Sequence, residues 1–579
     1  MNSRLIIAIA LSFLAGACSS PSEDPAPQPQ VRAADLVLRG GTIASVDPKI
    51  GSASAIAVNG HEITAIGSDA DIDPYIGPDT RIIELGGKFV MPGFIEGHGH
   101  FMGFGRAQQI LDLSTAGNWN DIVNMVANAA DKSKPGEWIL GHGWHQDKWD
   151  GLPEDAVDGV PRNDSLSAAS PDNPVSLGHA SGHATFANDA ALAAASIDDS
   201  TADPDGGTIV RSSEGRATGM LRETAQRLID DALRQSEGRL SPEETEQVAR
   251  ERVYLAGEAA LSFGITSFHD AGSSFETIDF LRLLEREGAL PVRLYVMVRG
   301  ASNEEMAELL PHYKMVAEEN DFLTVRSIKR QVDGALGTHG AWLLQPYIDL
   351  PETSGLVLET IADIEATAAL AVEHGFQLDT HAIGDRANRE ILDLYERTFK
   401  SSNVAGGDLR WRIEHAQHID PVDVPRFGSL GVIAAMQGVH CVSDGPWIPS
   451  RLGDERAELT SYLWRDLIDS GAVIGNGTDV PVESIDPIAS FYASVSRMTR
   501  SNTRFFPEQA MTRDEALVSY TLNNAFAAFE EDHKGSLTPG KLADIVVLSK
   551  NILTVPENEI LQTRVEMTIV GGDIMYVRE

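Results

Sequence analysis

The chain has 579 residues, too many for one ordinary domain but enough for a barrel with insertions and a smaller domain beside it. Hydrophobic residues make up 42%, sufficient for a large core. With 85 acidic against 46 basic side chains the net charge is −39, a surface that repels phosphate backbones and argues against nucleic acid as a partner; its plainest consequence is solubility, and it names no substrate.

In chain order, the first element is a targeting segment. Arg4 precedes an apolar run from Leu5 to Ala17, too short to span a bilayer comfortably. It ends Leu14-Ala15-Gly16-Ala17-Cys18, which resembles a bacterial lipobox, except that Ala15 stands where a large aliphatic residue is usual and Leu14 lies one place earlier. The expectation is a signal peptide over 1–17 and a lipid-bearing Cys18 as the new first residue. Cleavage after Ala15-Gly16-Ala17 without lipid is the alternative. Residues 18–33, with Pro21, Pro25, Pro27 and Pro29, have the composition of a tether. The mature protein is thus expected outside the cytoplasm, facing the periplasm or cell exterior, with its lipid anchor as the sole membrane contact. Ser19 lacks the aspartate that holds many lipoproteins at the inner membrane, which points to the outer membrane. Without Cys18, Cys441 has no partner for an intrachain disulfide.

Residues 34–91 alternate short strands with glycine turns, and 534–579 do the same. The two ends are therefore expected to form one small β-sandwich domain. Between them, 92–533 alternate apolar strand-like runs with helical stretches, as an α/β (β/α)₈ TIM-type barrel requires. The predicted strands are Phe89–Ile95, Ile265–His269, Arg293–Met297, Val325–Val332, Gln377–Thr380, Trp411–Glu414, Val432–Met436 and Ala472–Asn476. An insertion of about 114–222 separates the first two.

Chemistry concentrates at the strand ends, where barrel active sites lie. In Met91-Pro92-Gly93-Phe94-Ile95-Glu96-Gly97-His98-Gly99-His100 the two histidines sit two apart, so their side chains share one face of a strand and can converge on one ion. Lys329 ends the fourth strand, His381 the fifth, His415 the sixth and Asp479 the eighth. Any one of these could be structural; Lys329 could simply pair with Asp333.

Together with "VDGALGTHGAWL", "HAIGDRAN", "RIEHAQHI", "GTDVPV" and "GSLTPGKLADIVVL", this set resembles the amidohydrolase superfamily, in particular amidohydrolase family 3, the YtcJ-like branch that includes N-substituted formamide deformylases. The resemblance runs from about Ala34 to the C-terminus. It implies two divalent ions: His98, His100 and Asp479 on the first, His381 and His415 on the second, and Lys329 bridging them as a carboxylated lysine. A carbamate offers two oxygens where an amine has one lone pair. Zinc suits these donors, as do manganese and iron. The implied reaction is hydrolysis of a non-peptide C–N bond of a small molecule by metal-activated water, with Asp479 carrying the proton. An esterase or lactonase on the same site, a mononuclear enzyme and a non-catalytic ligand-binding lipoprotein are the alternatives. An oligomer is compatible with all of them. Two departures from the family pattern stand out: Glu96 where aspartate is common, and Gly438-Val439 interrupting the usual Gln-Pro-x-His, which leaves Gln437 and His440. Neither touches the proposed ligands. The insertion carries His142, Trp144, His145, Trp149, His179 and His183. Four histidines could form another metal site, but aromatic and polar residues over a barrel mouth fit a lid better, with Trp144 and His183 as substrate contacts.

Overall fold

The computed structural model describes residues 32–579 apart from 145, 147–148, 154–155, 158, 180–183, 205, 239, 317–321, 338 and 500. Cys18, most of the tether and His183 lie outside the described residues.

Eight parallel strands form the central sheet: β1 (Phe94–Gly99), β2 (Ile265–Ser273), β3 (Arg293–Val298), β4 (Leu323–Gln331), β5 (Gln377–Ala382), β6 (Arg412–His415), β7 (Ile433–Gln437) and β8 (Ile474–Gly477). They are neighbours in sequence order from β1 to β8. The chain just beyond β8 then meets β1, where the Asp479 N–H donates to the His98 carbonyl at 2.7 Å. The buried Glu96 carboxylate tightens this seam. It accepts from the Thr478 N–H at 2.6 Å, the Thr478 hydroxyl at 3.1 Å and the His98 N–H at 3.4 Å. The result is a (β/α)₈ barrel whose helices wrap strands buried on both faces.

The first predicted strand divides in two. Phe89–Pro92 belongs to a different sheet, and only Phe94–Gly99 enters the barrel. Gly93 marks the break, because a Cβ there would lie 2.3 Å from the Thr266 side chain of β2. Phe89–Pro92 pairs antiparallel with Ile545–Leu548, in a five-stranded sheet completed by Thr42–Ile43, Val565–Val570 and Asp573–Val577. Gly571 and Gly572, both at positive φ, make the tight turn between the last two strands. A four-stranded sheet of Glu62–Gly67, Ala55–Asn59, Leu36–Arg39 and Arg81–Glu84 packs on it. Leu36, Leu38, Ile56 and Val58 from one sheet meet Val90, Ile545, Val547 and Ile569 from the other in one core. A buried ion pair joins this sandwich to the barrel: Arg293, first residue of β3, donates to both oxygens of Asp544 at 2.8 and 3.1 Å.

The insertion is a folded unit with its own six-stranded sheet, ordered Gly207–Arg211, Ala217–Glu223, Ala184–Ala187, Val175–His179, Ile139–Trp144 and Leu111–Asp112. It leaves the barrel after the helix Phe101–Gln108 and returns at Pro242–Ser262. Trp144 is not a substrate contact. Its ring is 1% exposed and packs against Trp149, His179 and Phe186, and its Nε1–H is spent on the Leu177 carbonyl at 2.8 Å. An indole is large enough to anchor a core of this size, and a satisfied N–H lets it be buried without penalty. Among the described residues no helix is long and apolar enough to cross a membrane.

Candidate metal centre

The six residues that the strand ends single out meet at one mouth of the barrel. His98 is in β1 and His100 immediately follows it; their Nε2 atoms lie 3.6 and 3.2 Å from Asp479 Oδ1, just beyond β8. The three donors fall within 4.8 Å of one another. The His415 ring is 4.8 Å from that of His98 and 4.4 Å from that of His381, centroid to centroid. Lys329 is buried among them, and its charge bears on His98, His381 and His415 alike. It does not pair with Asp333 among the described contacts. The Asp333 carboxylate is occupied by the N–H groups of Trp342, Ile383 and Gly384 at 2.8–3.0 Å, and its Oδ1 faces His381 Nε2 at 3.5 Å.

Strand alternation accounts for some of this convergence and backbone strain for the rest. Asp379 and His381 share a face of β5, as do Arg412 and Glu414 on β6. His415 should point the other way. Its φ of 72°, followed by 43° at Ala416, turns the ring onto the same mouth, and Asp479 has φ 61°. Left-handed backbone at residues other than glycine costs of order 1–3 kcal/mol each, and such strain gathers at functional sites.

A shell of buried polar groups fixes the imidazoles. His98 Nδ1 bonds to Glu414 Oε2, and Arg412 clamps the same carboxylate through Nε at 2.6 Å and Nη2 at 3.0 Å. Burial would raise the Glu414 carboxyl, but Arg412 and His98 hold it well below the usual range. His415 Nδ1 donates to Gln437 Oε1 at 2.8 Å, which leaves its Nε2 lone pair free. Burial pushes His98 down to about 4, and His381 and His415 well below their ordinary value, so all three are neutral. Burial works against the Asp479 carboxylate too, yet the His100 ring at 3.2 Å and the charge that His98, His415 and His440 carry when protonated hold it well below the usual range, so it is already ionised where those rings are neutral.

The sequence reading missed these supports. Glu414 and Gln437 lay inside quoted motifs, and their places at the ends of β6 and β7 were the available signal. His440 is nearer the centre than its place in a broken motif implied. Its ring lies parallel to His415 at 6.2 Å, and its Nε2 is 4.0 Å from Asp479 Oδ2. His415, His440 and Asp479 form a second cluster of potential ligands. Both departures from the family pattern therefore touch the ligands: Glu96 through the His98 backbone, His440 through His415 and Asp479.

The donor set fits divalent cations. Neutral imidazoles around an ionised carboxylate are the ligand forms that zinc and its neighbours take. Asp479 Oδ1, His381 Nε2 and His440 Nε2 are buried without a hydrogen-bond partner, which is costly unless something else satisfies them. Carboxylate and amide groups on the far ring nitrogens are the usual support of metal-bound histidine. The model of the amidohydrolase family (Amidohydro_3) matches residues 81–576. The chain belongs to that family. This amidohydrolase is 33% identical over 556 residues to the protein LONG AFTER FAR-RED 3 of Arabidopsis thaliana, spanning 94% of this chain and 92% of that one. It is 26% identical over 549 residues to the N-substituted formamide deformylase of Arthrobacter pascens, spanning 94% and 98%. The crystal structure of a metal-dependent hydrolase from Pyrococcus horikoshii superposes with a TM-score of 0.70 at 27% identity, over 90% of this chain and 99% of that one. The protein is a metal-dependent hydrolase acting on carbon–nitrogen bonds.

Proposed function

We propose that this amidohydrolase uses two divalent cations, zinc by preference, to hydrolyse a small non-peptide amide, with N-substituted formamides the first class to test. The observation that carries the reading is the convergence of neutral imidazoles on the ionised Asp479 at the barrel mouth. His98, His100 and Asp479 would hold one cation and His381 and His415 the other, with Lys329 between them as a carbamate. A buried amine suits carbamate formation, because only the uncharged form attacks carbon dioxide. Burial lowers the Lys329 amine to about 8, so more of it is uncharged near neutrality than in an exposed lysine. The relationship to a formamide deformylase supports the substrate class.

When bound, the cations acidify a water molecule and polarise a carbonyl. The chain's own residues do the remaining work. Asp479 takes the proton from the attacking water and passes it to the leaving nitrogen, as a positioned carboxylate can. Glu414 holds the His98 imidazole in register and Gln437 that of His415. The insertion is proposed as the wall or lid that selects substrate.

The test is a hydrolysis panel of N-substituted formamides, N-acyl amino acids, carbamates and esters on zinc-reconstituted protein. Turnover of amides above esters is expected; no turnover across the panel would overturn the reading. Export is a separate proposal, resting on Arg4, the apolar run to Ala17 and Cys18. Cys18→Ser should release the protein from membranes, and mass spectrometry of an N-terminus without lipid would refute the anchor.

A further inference from the structure

Asp479 presents its two oxygens to different neighbours. Oδ1 faces the Nε2 atoms of His100 and His98 at 3.2 and 3.6 Å, whereas Oδ2 faces His440 Nε2 at 4.0 Å. That last gap exceeds a hydrogen bond. It is a suitable width for two groups that grip neighbouring atoms of one bound molecule. His440 is firmly seated for this. The helix Gly438–Asp444 begins at the end of β7, and its first turn is held by Gly438 N–H donating to Asn476 Oδ1 at 3.0 Å and Val439 N–H donating to Ser490 Oγ at 3.2 Å. Only glycine fits at 438, since a Cβ there would lie 2.3 Å from Ser494 Oγ. Proline, usual at this point in the family pattern, would also remove the donor to Asn476. His440 Nε2 is buried with no hydrogen-bond partner, and the side chain keeps 12% exposure toward the mouth.

We propose that His440 is a further catalytic residue of the amide hydrolysis suggested above, and that its Nε2–H donates a hydrogen bond to the substrate carbonyl oxygen as negative charge develops there. The proposal rests on the amide reading for its chemistry and on the geometry of Asp479 and His440 for its residue. In the balanced step the water oxygen bonds to the carbonyl carbon and one water proton passes to Asp479. The C–N bond then breaks, and its electron pair stays with nitrogen, which takes that proton from Asp479. The products are a carboxylic acid and an amine. His440 keeps its proton throughout; it stabilises charge and transfers nothing.

The test compares wild type, His440→Ala and His440→Gln, each loaded with zinc. It reads metal content per chain, kcat on N-benzylformamide, and the affinity for acetohydroxamate by calorimetry. His440→Ala is expected to keep the wild-type metal content, lose about 10²-fold in kcat, as for other single oxyanion donors, and bind acetohydroxamate about tenfold more weakly. His440→Gln, which retains an N–H donor, is expected to recover much of both. Loss of metal in His440→Ala would overturn the proposal and make His440 a cation ligand. Full metal with unchanged kcat and unchanged affinity would overturn it and make His440 a bystander. If wild type cleaves no amide, the amide reading fails, while metal content and acetohydroxamate affinity still judge His440.

Discussion

Asp479 carries the most at the scale of single residues. Asn tolerates the left-handed backbone that Asp479 adopts, so Asp479→Asn changes the charge with little disturbance of the fold. Turnover should fall about 10²–10⁴-fold, the usual share of acid–base catalysis, while much of the metal stays on the remaining ligands. Metal analysis and kcat on one preparation check both halves. Glu414 acts one bond further out. Glu414→Gln removes the charge that orients His98 and neutralises Arg412, so metal affinity should drop about 10–100-fold, read by competition with a chelator. His418 gives a pH-dependence separable from the ligands. It is fully buried, its Nδ1 bonds to Ser461 Oγ at 3.0 Å, and burial pushes it down to about 3. In the unfolded chain it titrates near 6.5, so between 6.5 and 3 the unfolded state binds the extra proton. Its stabilising share is whole above 6.5 and is lost as pH falls, at up to about 1.4 kcal/mol per pH unit. Urea midpoints measured from pH 7 to 4 should decline less steeply in His418→Gln than in wild type.

Among the elements, the insertion puts its aromatic residues to a use other than the expected one. Trp144 and Trp149, the aromatic residues that suggested a substrate-facing lid, lie with Phe186 in the core of its own sheet. Trp144→Ala should therefore cost about 3–5 kcal/mol in the stability of this unit, with no selective rise in KM at temperatures where the unit stays folded. Limited proteolysis within 111–223 together with KM separates this from a substrate contact. β6 shows a different kind of surprise. Arg412, Ile413 and Glu414 alternate as a strand should, and then His415 leaves the pattern through positive φ. Two successive residues, Glu414 and His415, thereby serve the same centre, one as support for His98 and the other as a ligand candidate.

Over the whole molecule, the sandwich and barrel share a join far from the chemistry. Arg293 and Asp544 are 2% and 5% exposed, and Asp544 also accepts the Gly571 N–H at 2.8 Å. Asp544→Ala would leave a guanidinium buried without its carboxylate, a loss of about 3–5 kcal/mol. Because Arg293 begins β3 and the metal centre lies at the opposite strand ends, kcat per folded molecule should hold while the melting temperature falls. A matched loss of kcat in fully folded protein would show that the sandwich is coupled to the site.

The order and spacing of residues by themselves determined the barrel and the shared β domain of the two ends, and they put six candidate ligands at the strand ends. Apolar runs of strand length alternating with helices have one common solution, and strand ends in that solution share a mouth. Local signals also sufficed for the glycine turns. What only the tertiary structure decided are the matters that depend on contact between distant segments. Gly93 splits a continuous apolar run because Thr266 crowds it. Trp144 is core because neighbouring strands of its own sheet enclose it. Lys329 is left by Asp333 because backbone donors around residues 342 and 383–384 take that carboxylate first. His440 comes beside Asp479 because β7 and β8 are neighbours and helix Gly438–Asp444 packs tightly enough to require glycine. Periodicity records which face a residue occupies; it holds no record of what another segment brings to that face.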